Sequence, residues 1–136
     1  AVLALSGRPA DIAQGRELVA AIDARMGEVY VGRFGSDADG LVTSLGAEVL
    51  VAPDAAIANV PFDALGIGTG FAAAGGVLAA RLGLVDVHPS ALPHAADLAR
   101  LAARDFIRGH AIAADVLEPT YLRDRVALTL VEQGKA

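Results

Sequence analysis

Three stretches of this sequence combine residue types that could do chemistry. Gly68-Thr69-Gly70-Phe71-Ala72-Ala73 fits the pattern G-x-G-x-x-A between an expected strand and an expected helix, and Asp86 follows eighteen positions after Gly68. In a dinucleotide site such glycines let the backbone approach a pyrophosphate, the helix start supplies N–H donors, and the acid binds a ribose. The same residues also suit a tight strand-to-helix turn whose glycines permit close packing. The other two stretches are Ile22 to Tyr30, "IDARMGEVY", and the tail from Glu118, "EPTYLRDRVALT". In the first, Asp23 ends an apolar run, where an acid must be paired or at the surface. Arg25 is near enough to pair with it, Gly27 supplies the turn, and Val29 and Tyr30 lead into the next strand. In the tail, Glu118 and Arg123 bracket a short extended piece suited to sealing a sheet edge.

The remaining candidates point to ordinary structure. His88, His94 and His110 are the only histidines; no H-x-x-x-H or H-E-x-x-H occurs, so nothing predicts a metal site. Arg100, Arg104 and Arg108 form an i, i+4, i+8 stripe, but Asp97 and Asp105 each precede one of these arginines by three residues and partly neutralise it. A solvated face is the expected reading. Ser6, Ser36, Ser44 and Ser90 sit in no G-x-S-x-G context, and Asp37 and Asp39 belong to a turn, so no catalytic residue is assigned.

The bulk numbers narrow the classes. A chain of 136 residues, 54% hydrophobic, builds one packed unit, with a core of Leu, Val, Ile and Ala because aromatics are only 4%. A net charge of −5 argues against holding nucleic acid alone. The absence of cysteine removes disulfides and thiolate chemistry and fits a reducing cytoplasm. No apolar run approaches the ~18 residues of a membrane span.

The elements that must position these residues follow from periodicity and turn chemistry. A short helix opens the chain, and a polar connector broken at Gly7 and Pro9 follows it. Leu18–Ile22 reads as a buried strand, Glu28–Phe34 as an alternating strand, and Leu41–Val51 as a third strand interrupted near Gly46. Joined by short turns, these three make an antiparallel meander. Pro53 and Asp54 open one or two helical turns. "DALGIGTG" is a buried strand ending in a glycine loop, "FAAAGGVLAARLG" a helix, and Leu84–Val87 a short strand. The best helix runs from Pro93 to Arg108, with Leu98, Ala102 and Phe106 as its apolar row and Gly109 as its stop. The expected fold is an α/β, ribonuclease-H-like lobe: a mixed sheet that opens with the meander and is flanked by helices.

Taken together, "VAAIDARMGEVYVGRF", "GIGTG" and "EPTYLRDRVALT" resemble the C-terminal half of the TsaB (YeaZ-like) family of bacterial tRNA threonylcarbamoyladenosine biosynthesis proteins. The resemblance runs from about Leu3 to Thr129. It implies membership of the actin-like ATPase superfamily and kinship with M22 glycoprotease-like proteins. It divides the chain into an inter-lobe helix and connector, residues 1–16, and a C-terminal ribonuclease-H-like lobe, residues 17–136, with the N-terminal lobe absent. The chain is therefore expected to be a fragment. The implied role is that of a non-catalytic, cytoplasmic subunit acting through a TsaD-like catalytic paralogue, with a TsaE-like ATPase in the assembly and tRNA engaged indirectly. Those partners are expected to bind through the missing lobe. Asp23, Arg25, Gly27, Glu28, Tyr30, Glu118, Pro119, Tyr121, Leu122 and Arg123 match the family signature without a derived role. Gly66, Gly68, Thr69 and Gly70 match the loop that would approach ATP or ADP in the full two-lobed protein or its complex. The alternative is a nucleotide-binding enzyme using that loop. A lobe without its neighbour exposes an apolar face, so a homodimer is expected as well.

Overall fold

Two long neighbouring strands, the first buried on both faces along its first half, organise the molecule. The computed structural model describes residues 1–6, 15–56 and 59–123. The connector at Gly7 and Pro9 and the chain beyond Arg123 lie outside the described residues. Helix α1 spans Val2–Leu5, and strands β1, Leu18–Arg25, and β2, Glu28–Ser36, form an antiparallel hairpin. Leu18 and Ala20 point into one apolar cluster, Val19 and Ala21 into another, so β1 is buried on both faces. That is why its sequence reads as a continuous apolar run rather than an alternation.

The expected third strand is two strands. β3, Val42–Ser44, and β4, Val49–Val51, each pair antiparallel with β2, β3 beside Phe34–Ser36 and β4 beside Val29–Val31. Between them the Ser44 hydroxyl donates to the Gly46 carbonyl and accepts from the Gly46 N–H, which turns the chain out of the ladder. After a 3₁₀ turn at Pro53–Ala55 come β5, Leu65–Ile67, parallel to β1, and β6, Asp86–His88, parallel to β5. The result is a mixed sheet of six strands, ordered β3-β2-β1-β5-β6 with β4 also on β2. The opening meander was legible; the parallel half needed the tertiary structure.

Two expectations fail in detail between β5 and β6. The expected helix from Phe71 onward is reduced to 3₁₀ turns at Thr69–Phe71 and Ala73–Gly76, followed by α2, Val77–Leu82. Ala74, Gly75 and Gly76 take φ of 49°, 71° and 84°, and three left-handed residues in a row cannot continue a right-handed helix. β6 begins two residues later than expected, because Leu84 donates its N–H to Ala79 O and belongs to the end of α2.

Helix α3, Ala95–Ile107, starts later than Pro93 because His94 is extended and its Nδ1 accepts from Ala96 N, 3.2 Å. That side chain caps the first turn. The face that α3 buries is not the expected one. Leu101 is the core residue, whereas Leu98 and Phe106 of the predicted apolar row are 56% and 73% exposed. Polar pairs decide the orientation. Ser6 Oγ donates to Asp97 Oδ2 (2.8 Å), Arg104 reaches Asp37, and Arg108 reaches Asp39. The inward stripe is therefore 97, 101 and 104. Of the arginine stripe only Arg104 is withdrawn from solvent; Arg108 pairs with Asp39 at the surface, and Arg100 rests on Asp97 at 3.4 Å with an exposed side chain, as a solvated face would have it.

Candidate functional site at the carboxyl ends of the central strands

The three stretches singled out in the sequence meet in space. β1 runs into a turn in which Arg25, Met26 and Gly27 have φ of 64°, 56° and 78°. Left-handed Met26 and Gly27 make the hairpin connection that matches strand twist. Arg25 lies at a register shift, and the Asp23 carboxylate holds it there by accepting from Arg25 N at 2.8 Å. Asp23 Oδ2 also meets Arg25 Nη1 at 3.4 Å, the partnership the sequence suggested. The side chain of Arg25 is exposed, so the backbone bond matters more than the ion pair.

On the other side of Asp23, its N–H donates to the Thr69 hydroxyl, 3.1 Å, joining the hairpin to the glycine loop. The loop lies against β1. A Cβ on Gly68 would stand 2.3 Å from Ala21 O, and one on Gly70 would stand 2.7 Å from Ala21 Cβ. One on Gly66 would stand 2.7 Å from the Phe71 ring. Close packing therefore accounts for the glycines by itself. Asp86, the acid completing the G-x-G-x-x-A pattern, accepts from Arg16 Nη1 at 3.0 Å, and the Arg16 Nε donates to Asp63 O. An acid so engaged is poorly placed to take a ribose.

The tail arrives from a different direction. Glu118 and Pro119 are exposed and Tyr121 is 80% exposed, and no strand forms here among the described residues, so the expected edge-sealing piece is instead a coil. Among the described residues it is attached by Arg123, whose Nη2 donates to Glu28 Oε2 (2.7 Å), Ala24 O (3.1 Å) and Arg25 O (3.4 Å). Its Nη1 meets Met26 Sδ at 3.0 Å. Arg123 therefore grips both sides of the hairpin turn, a pairing of Glu28 and Arg123 that sequence spacing gave no means to see. Below the coil, Leu122 and Thr120 wall a cavity of about 470 Å³ whose floor is Ile22 and Tyr30, cross-strand partners on β1 and β2. Glu48 lines this cavity and a neighbouring one of about 240 Å³ beside α1. No motif pointed to Glu48; it lies in the break between β3 and β4.

Chemically, the junction offers backbone order rather than a reacting group. Its charges are paired, its hydroxyl accepts from the backbone, and among the described residues no group of three or more His, Cys, Asp or Glu could hold a metal ion. Likewise, no helix among them is long and apolar enough to cross a membrane.

No family model matches the chain. It is similar to the tRNA threonylcarbamoyladenosine biosynthesis protein TsaB of Escherichia coli K12, 33% identical over 114 residues, covering 81% of this chain and 49% of that protein. TsaB of Haemophilus influenzae is 34% identical over 124 residues, covering 85% of this chain and 51% of its own length. The chain thus spans about half the length of the curated relatives it matches. Among solved structures, an uncharacterized Pseudomonas aeruginosa protein with similarity to peptidase YeaZ superposes with a TM-score of 0.73 at 31% identity, over 90% of this chain and 56% of that one. YeaZ from Pseudomonas aeruginosa gives 0.70 at 32% identity, over 89% and 55%. The six-stranded mixed sheet flanked by helices is the ribonuclease-H-like, actin-like fold of these structures.

Proposed function

We propose that this chain, TsaB/YeaZ-like in both sequence and fold, forms the C-terminal ribonuclease-H-like lobe, residues 17–136, of a non-catalytic subunit in tRNA threonylcarbamoyladenosine biosynthesis. Residues 1–16 serve as the helix and connector between lobes. In this reading a TsaD-like paralogue transfers the threonylcarbamoyl group to the adenosine beside the anticodon. A TsaE-like ATPase joins the assembly, which works in the cytoplasm, and tRNA is engaged through the partners. The observation that carries the reading is the TsaB similarity over 81–85% of the chain, together with the convergence of its two signature stretches on one hairpin. The junction supports the non-catalytic part, since its polar groups are spent on holding backbone.

The full-length protein is expected to co-purify with a TsaD-like protein from the same source, and threonylcarbamoylation of tRNA by that mixture should fall to background when this subunit is left out. Failure to associate in a pull-down at micromolar concentrations, with full modification in its absence, would remove the subunit role.

A second reading is favoured by position: the Gly66–Gly70 loop lies at the carboxyl ends of the parallel strands β1 and β5, where open α/β sheets bind ligands. It makes the protein a nucleotide-binding enzyme, with ATP or ADP held in the two-lobed molecule. Self-association is proposed as well, through the uncovered row of Leu98, Phe106 and Ile107 on α3. Phe106→Asp should then lower the sedimentation coefficient at high protein concentration to the monomer value. A wild-type protein that stays monomeric across the concentration series excludes it.

A further inference from the structure

The segment from Leu117 to Arg123 crosses the open end of a groove with Leu122 as its one apolar anchor. Leu117 and Tyr121 are 69% and 80% exposed, whereas Leu122 is half-buried and lines the groove. Between the segment and the sheet lies the cavity of about 470 Å³ over Ile22 and Tyr30. Among the described residues, every hydrogen bond from Glu118–Arg123 to the sheet or its hairpin turn is made by the Arg123 guanidinium. The side chain of Arg123 is 15% exposed, and its Nε is buried without a partner there.

We infer that Glu118–Arg123 is a strap over the Ile22–Tyr30 groove, latched by Arg123 onto the β1–β2 turn and able to open when that latch releases. A segment fixed by packing would lose apolar contact along its whole length on opening. This one loses the contact of Leu122 and the charge-assisted bonds of Arg123, whose acceptors are a half-exposed carboxylate and two carbonyls at a turn that water already reaches. The unpaired Nε makes the closed state less favourable still, since its desolvation is not repaid by a bond. Opening widens the mouth of the groove to Tyr30, Ile22 and Glu48, and leaves the hairpin itself intact, because Asp23 holds Arg25 independently of Arg123.

Limited proteolysis of the full chain tests this, because the bond after Tyr121 must leave the groove to enter a protease. In Arg123→Ala chymotryptic cleavage after Tyr121, followed by mass spectrometry, should be about tenfold faster or more, the factor expected for one lost charge-assisted bond, while amide hydrogen exchange of Val19, Ala20 and Val31 in the sheet stays at wild-type rates. Arg123→Lys, which can reach only part of the acceptor set, should fall between the two. Glu28→Gln keeps the carbonyl contacts and provides the gentler variant if Arg123→Ala does not fold; it should speed the cleavage several-fold with the sheet unchanged. Cleavage at wild-type rates in these variants overturns the inference. So does an equal acceleration of cleavage and sheet exchange in both, which would make Arg123 a support of the whole domain.

Discussion

Gly68→Val is expected to destabilise the domain by about 4 kcal/mol or more and to abolish whatever the Gly66–Gly70 loop does, independently of any nucleotide. Gly68 has φ 108° and ψ 172°, a region open to glycine almost alone, which costs about 1–3 kcal/mol for another residue. The added Cβ would also lie 2.3 Å from the Ala21 carbonyl oxygen and 2.5 Å from Leu3 Cδ2. The first of these is backbone of the central strand and cannot yield cheaply, so overpacking adds a further ~1–3 kcal/mol. Against a total stability of roughly 5–15 kcal/mol, thermal denaturation should show a large fall in Tm or no cooperative transition. A Tm within a few degrees of wild type would mean that the loop does not pack on β1 as described. For the same reason Gly68→Val cannot separate a nucleotide role from a packing role. Thr69→Val can. It removes one hydroxyl acceptor from Asp23 N, and a nucleotide-binding loop should then show weaker ATP binding by titration calorimetry with the fold preserved.

Arg104→Ala is expected to cost about 2–3 kcal/mol, roughly 10 °C in Tm, and to change how the protein responds to acid. Arg104 is 16% exposed and donates to Asp37 Oδ2 (2.9 Å), Asp105 Oδ1 (2.8 Å) and Val42 O (2.9 Å), tying α3 to the β2–β3 turn. Asp37 is itself 12% exposed and accepts from Asp39 N and Leu41 N through its other oxygen. Burial works against ionising this carboxyl, but the Leu41 N–H, the Arg104 guanidinium and the Asp39 N–H together outweigh it and hold its pKa below the ordinary carboxylate range. A carboxyl held low in the folded state stabilises fully above its unfolded value, ~3.9, and the contribution is lost as pH falls through the lower folded value. Denaturant midpoints measured from pH 6 down to pH 2 should therefore fall in acid for the wild type and less steeply for Arg104→Ala and Asp37→Asn. Parallel curves for all three proteins would show that this pair does not hold the helix.

The same pair explains how sequence and structure parted company over α3. The row Leu98, Ala102 and Phe106 is a sound apolar stripe, and periodicity alone would bury it. Whether it is buried depends on what the rest of the chain offers as a partner, and here Asp37 of the β2–β3 turn lies under the helix and draws Arg104 inward, while Asp39 holds Arg108 at the surface. Helix existence and its stop before Gly109 follow from local preference. The face it presents is a contest between distant groups.

Local preference and period account for the buried strand from Leu18, the alternating strand from Glu28, the break at Gly46, the glycine-rich turn after β5 and the two signature stretches. Each depends on residues within about ten positions of one another, through backbone preference and period. Tertiary structure alone decided that Arg123, ninety-five residues after Glu28, closes on the same turn, that Thr69 accepts from Asp23, and that Arg16 pairs with Asp86. A hydrogen bond is decided over about three ångströms of space, and a sequence records only distance along the chain. The sheet order β2-β1-β5, which brings the carboxyl ends of β1 and β5 together, is what converts one distance into the other.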